Sequence, residues 1–371
     1  MRALPRAEQA TLGALLLHPE PLPAVTQWLR AGDFADPWHG QLYAVLRERL
    51  VARQPITPED AGMHLLDRVG PHKADLPRIA SLLASTPPGA DPLRYAPMVL
   101  EASLRREVAG QGVIVRASAL ATFLSGGSGP VEAGVAQVGK GLREAERRWQ
   151  LASVASEVTA QPRPLPDGPQ LDRRLAADRF LSAYPAVDGA AVRENEARLV
   201  AALVCHPDEA THVSAWLRPD MLVDRTWRAA YTAFLDLSER RQPVDAMTVA
   251  WQVQRATALH GAGPDPVVLS KAVDAALSDD PNFLSRRVAA DLVRRTADGA
   301  AKAVEQAAGN LGLDVPEVLE SARLVCEGVF AAAVGLQPPT VKGRAVRHLN
   351  AVQPRRPLRP ETIAALRPAA P

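Results

Sequence analysis

The chain has 371 residues, of which 47% are hydrophobic, 23% charged and 4% aromatic, with a formal net charge of +2. That length and apolar fraction can fill two or three buried cores, so a multi-domain protein is expected, and the small charge sets up no whole-molecule field that by itself argues for nucleic acid. The longest apolar runs, Leu12 to Leu17 and Leu199 to Cys205, fall far short of the roughly 20 residues a membrane span requires, and no charged-then-apolar leader opens the chain, which predicts a cytoplasmic protein without membrane contact.

Along the chain, apolar residues recur at steps of three and four with no sustained alternation, so the expected class is all-α. The first helical run stops at His18-Pro19, where a terminal His favours the helix dipole and the proline ends the helix. Trp28, near Val25, reads as a core ring. Asp36-Pro37 has the form of an N-cap and first-turn proline, Thr57-Pro58-Glu59-Asp60 that of a capping box, and Asp91-Pro92 opens a further helix. His39 reads as an ordinary helix histidine and Arg105-Arg106 as a solvated face, with phosphate or an acidic surface as the sharper alternative for the arginines.

Further on, Val113, Ala117, Leu120 and Leu124 form one stripe, and Gly126-Gly127-Ser128-Gly129 supplies a turn. Val131, Val135, Val138, Leu142, Ala145 and Trp149 then step by 4, 3, 4, 3 and 4. Such a seam needs a partner helix, and the preceding stripe predicts an antiparallel hairpin. Prolines between 161 and 169 mark a spacer, and Leu171 to Tyr184 is compatible with a short docking helix.

The chain repeats itself. Shifted by 188 positions, residues 8–66 align with 196–254 without a gap, and Glu8, His18, Pro19, Trp28, Arg30, Asp36, Tyr43, Arg53, Gln54 and Pro55 recur as Glu196, His206, Pro207, Trp216, Arg218, Asp224, Tyr231, Arg241, Gln242 and Pro243. After a one-residue shift, Arg105 and Arg106 meet Arg294 and Arg295, and the seam returns as Val315, Leu319, Ala322, Cys326 and Val329. The duplicated unit is therefore a normal domain of roughly 140 residues.

Chemistry-bearing patterns are sparse. Cys205 and Cys326 have no second Cys or His at a metal-ligand spacing and read as small core residues, so neither metal nor cofactor is expected. The phosphate loop GxxxxGK[ST], whose backbone N–H groups, Lys and hydroxyl grip nucleotide, does not occur in the sequence, which predicts a protein that is not an enzyme.

The stretches "RAEQATLGALLLHPE", "WLRAGDFADPWHGQLYAVL", "RQPITPED" and "YAPMVLEASLRREV" resemble, in order and spacing, the N-terminal domain of DnaB-type replicative helicases. At the position of the family's usual His, the first copy has His39 and the second Trp227. The resemblance implies a small helical globule followed by a helical hairpin in each copy, with copy 1 at 1–150, a proline-rich linker with a short helix at 151–190, copy 2 at 191–335 and a basic tail at 336–371. It also implies hexamer-type assembly and contact with helicase or primase. Self-association is expected through Val131, Val135, Val138 and Leu142 meeting Val315, Leu319, Ala322 and Cys326 in a pseudo-two-fold arrangement within one chain. Two other readings stay open. One is a nucleic-acid-binding regulator that uses the tail, where Arg344, Arg347, Arg355, Arg356 and Arg359 are the candidate DNA contacts, and the other is a subunit of a split helicase whose motor is a separate chain.

Overall fold

The computed structural model describes residues 3–125, 129–154, 170–183, 188–257 and 263–335, and the tail arginines and the 161–169 spacer lie outside them. Every described element is helical, as the spacing predicted, and none is a strand.

Copy 1 begins with α1 (Leu4–Leu17), α2 (Leu22–Val25), α3 (Pro37–Val51), α4 (Pro58–Val69), α5 (Pro71–Ala74) and α6 (Leu76–Ser85), and two long helices follow, α7 (Pro92–Ser125) and α8 (Gly129–Ser153). The starts are set locally. Asp36 accepts from the Trp38 N–H, Thr57 from the Asp60 N–H and Asp91 from the Leu93 N–H, each cap preceding a proline at the first helical position. The His18 N–H bonds the Ala14 carbonyl and closes α1, as its His-Pro ending suggested. Gly126, Gly127 and Ser128 lie outside the described residues, but α7 ends and α8 begins on either side of them.

After α9 (Gln170–Ser182), copy 2 repeats the scheme with α10 (Gly189–Cys205), α11 (Ala210–Ser214), α12 (Arg225–Glu239), α13 (Ala246–Thr257) and α14 (Pro266–Ala275), and closes with the long pair α15 (Pro281–Gly309) and α16 (Val315–Gly335). Short helix α9 buries Ala177 and Phe180 and leaves Leu175 exposed.

The repetition extends to single bonds. Glu8, on α1, is buried and takes the Ala35 N–H at 2.6 Å, while Glu196, on α10, takes those of Val223 at 2.7 Å and Asp224 at 2.9 Å. A carboxylate from the first helix thus caps the entry to the third in both copies. Tyr43 and Tyr231 donate their hydroxyls to the Leu29 and Leu217 carbonyls. Arg53 and Arg241 both adopt positive φ, 53° and 54°, and the N–H groups of Gln54 and Gln242 reach back five residues to close a Schellman cap. Trp28 and Trp216 are buried at equivalent places, as expected of core rings.

The chain divides into two compact units that interleave along the sequence. Among the described residues, one comprises 3–112, 138–154, 170–174 and 303–324, and the other 113–125, 129–137, 175–183, 188–257, 263–302 and 325–335. Each unit therefore holds the globule and hairpin root of one copy together with the hairpin tip of the other.

Candidate interaction site at the hairpin roots

In the first unit, the root of the copy 1 hairpin is fixed to its globule by a buried ionic network. Arg148, on α8, is 0% exposed. Its Nε donates to the Trp28 carbonyl at 2.8 Å, one terminal nitrogen to Glu107 at 2.8 Å and the other to Asp33. Asp33 also receives the Arg30 N–H and the Ser103 hydroxyl, both at 2.6 Å, and Arg30 itself reaches Glu144 at 2.6 Å. Burial opposes every charge here. At Arg148 the two carboxylates outweigh it and hold the guanidinium above its usual range, whereas at Glu107 burial wins and pushes the carboxyl up. Burial, followed by the neighbouring Arg148 charge, lowers Arg30. Such a network is costly to break because removing one member leaves a buried charge uncompensated.

His39 is buried in the same globule, its Nδ1 2.7 Å from Glu8, so the helix-histidine reading holds in its packed form. Copy 2 has Trp227 there and Met221 in place of Asp33, and Arg218, the counterpart of Arg30, is exposed and, among the described residues, forms its ion pair with the adjacent Asp220. The network is confined to copy 1.

Arg105 overturns the solvated-face expectation. It is 5% exposed and donates to the carbonyls of Ala308 at 3.4 Å, Asn310 at 2.9 Å and Leu313 at 2.6 Å, at the turn between α15 and α16, while also pairing with Glu101. A charge at the C-terminal end of α15 finds carbonyls that the helix itself leaves without donors. Arg106 is likewise occupied, by the Asp33 carbonyl. A second link joins Arg323 of α16 to Glu146 of α8 at 3.4 Å. Within the other unit, Arg116 of α7 meets Asp298 of α15 at 2.7 Å, and Asn195 ties α10 to Asp291 of α15 at 2.7 Å.

The seam residues can now be placed. Val131, Val138 and Leu142 are buried, as are Val315, Leu319, Ala322 and Cys326, but Val135 is only half-buried. Val138 and Leu142 fall in the same unit as Val315, Leu319 and Ala322, and Val131 and Val135 fall with Cys326. On α8 the covered stripe runs through Val131, Gly134, Val138, Gly141, Ala145 and Arg148, one position off the expected phase at 135 and 149. Glycine sits there for a reason, since a Cβ on Gly134 would come within 2.0 Å of the Ser118 hydroxyl oxygen on α7. Of the partner stripe, Val113, Ala117 and Leu120 are buried, and Leu124 is exposed, correcting its assignment to the seam. Cys326 is buried, with its thiol pushed up to about 11 by burial and then by Glu327. Cys205 is half-buried and faces the Val273 carbonyl.

The ionic network, the Arg105 socket and the Glu8 and Glu196 caps were not singled out from sequence. The recurrence of an acidic residue within two otherwise apolar stretches, Glu8 and Glu196, was the available signal. No group of His, Cys, Asp and Glu among the described residues has the geometry of a metal site, and no described helix is long and apolar enough to cross a membrane.

Against known families, the model of the DnaB-like helicase N terminal domain matches residues 2–101 and 190–284. Both segments end early in the long helices α7 and α15, so the match covers the two globules and the start of each hairpin. No curated protein matches the chain.

Proposed function

Since the chain belongs to the family of DnaB-like helicase N-terminal domains and carries that domain twice, we propose that it is a non-enzymatic accessory or scaffold of DNA replication, which assembles through its hairpins and docks on a helicase or primase. The observation that carries this reading is the exchange of hairpin tips. Arg105 in copy 1 binds the carbonyls that end α15 in copy 2, and Arg323 meets Glu146 across α16 and α8. Pairing inside one chain gives a single polypeptide its own hairpin association, and tethering raises the effective concentration to about the millimolar range. No phosphate-loop pattern occurs in the 371 residues, which supports a role without nucleotide turnover.

The test combines assembly and partner binding. With Cys205 and Cys326 replaced by serine, E146C/R323C should cross-link within single chains at high dilution. The parent chain should also co-elute with the host replicative helicase or primase in sizing with light scattering. Exclusively intermolecular cross-links, or independent elution from both proteins, would sink the proposal. The second reading, a nucleic-acid-binding regulator, draws on the tail, where Lys342, Arg344, Arg347, Arg355, Arg356, Arg359 and Arg367 are set against Glu361 alone. Salt-dependent DNA retention that disappears on deleting 341–371 favours it.

A further inference from the structure

The two copies can be read against each other, and they differ most sharply in charge at one cleft of the second unit. An open cavity of about 460 Å³ lies between the starts of α10 and α12 and the flank of α15, lined among others by Gly189, Arg193, Asp224, Arg225, Thr226 and Arg295. The three arginines come from three separate helices, are all exposed, and enter no ion pair among the described residues. Neighbouring arginines behave differently, since Arg198 is held by Asp279 and Arg228 by the Leu222 carbonyl.

Copy 1 lacks this arrangement. Its residues at the corresponding positions are Pro5, Pro37 and Arg106, and Arg106 is committed to the Asp33 carbonyl. Two of the three guanidiniums are therefore particular to copy 2, and the third is exposed where its half-buried counterpart Arg106 is bound. Two carboxylates offset part of this charge, Asp224 in the lining and Glu196 beneath it, whose charged form Arg295 favours, but their oxygens are already taken. Asp224 is engaged by the N–H groups of Thr226 and Trp227, and Glu196 beneath is engaged by those of Val223 and Asp224. Three guanidiniums against two carboxylates leave the cavity net positive, and the planar fork of arginine matches phosphate oxygens.

We propose that this cleft is a phosphate-binding site that grips the backbone of single-stranded nucleic acid. The lining has no aromatic ring on which a base would stack, so the contact is with backbone phosphates alone. Its openness to solvent and the spread of its arginines over three helices suit a polyanion that crosses the surface better than an enclosed small ligand.

The probe is a short labelled oligothymidylate, with anisotropy read on the full chain over a salt series. R193Q/R225Q/R295Q should weaken binding at least about tenfold and lower the slope of log affinity against log salt by about two, because each single-strand phosphate contact contributes roughly 0.7. R225P, which installs the copy 1 residue at a first helical position that tolerates proline, should show a smaller loss of the same kind with an unchanged melting temperature. Three results each overturn the proposal. One is a parent chain that fails to bind the oligonucleotide, and the second is affinity retained in the triple variant and lost only in R355Q/R356Q/R359Q. The third is displacement of the oligonucleotide by micromolar inorganic phosphate, which would make the cleft a site for a free anion.

Discussion

Replacing Arg105 by Met tests the hairpin exchange at its tightest point. Methionine keeps most of the apolar stem and removes the guanidinium, which leaves the Ala308, Asn310 and Leu313 carbonyls without their donor. The pair with Glu101 counts for little, because that carboxylate is 35% exposed. Charge-assisted bonds to buried carbonyls are worth about 1.5–3 kcal/mol each but do not add, so the expected loss is about 2–4 kcal/mol. If the tip detaches locally, amides around the turn should exchange about 30- to 700-fold faster, at roughly 1.4 kcal/mol per tenfold. The amides of Asn310 and Leu313, bonded to Gln306 and Asn310 respectively, are the ones to follow by hydrogen-exchange mass spectrometry. Parental exchange at these amides, with an unchanged urea midpoint, would refute the claim that Arg105 holds the tip.

Four further outcomes are expected. L142D should cost several kcal/mol because it buries a charge, while V135D should cost distinctly less because Val135 is half-buried, and equal urea midpoints for the two would contradict the phase of α8. R53G and R241G should each stabilise the protein by about 0.5–1 kcal/mol, since glycine adopts the positive φ of a Schellman cap without the Cβ penalty, and thermal melts read the gain. Cys205 should react with a thiol reagent before Cys326, whose thiol near pKa 11 is buried, and Cys326 should become reactive only in denaturant. At Asp36 burial opposes the charge, but the Arg78 and Trp38 hydrogen bonds outweigh it and hold the carboxyl below its usual range. Its contribution is present above the unfolded carboxylate value and lost as pH falls through the folded one, so D36N should flatten the acid limb of stability against pH.

The parts of the fold that were legible in the sequence are those encoded locally. Asp36, Thr57 and Asp91 announce helix starts because an N-cap bonds an amide two or three residues away, and the duplication showed through shared polar and proline positions as well as core ones. The seam of α8 was found but misphased at Val135 and Trp149, because its true members Gly134, Gly141 and Arg148 do not look like core residues. Arg105 and Arg148 were the hardest to read. Their partners in the network and the hairpin turn lie 41 to 208 positions away, and a paired arginine in a helix is ordinarily solvated. The arginine cleft was accessible in principle, since aligning the copies sets Pro5 against Arg193 and Pro37 against Arg225.

The interleaved order of the units also bears on biosynthesis. The first unit needs residues 303–324, so it stays incomplete while some 130 residues that follow 174 are still being added. At roughly 5–20 residues per second, the root of the copy 1 hairpin waits about 6 to 26 seconds on the ribosome before its own tip partner emerges. During that interval its apolar stripe is open to the same segment of another nascent chain, and neighbouring ribosomes on one message hold such chains close together. Translation speed across copy 2 would then bear on how many molecules leave the ribosome paired with themselves and how many leave paired with a sibling.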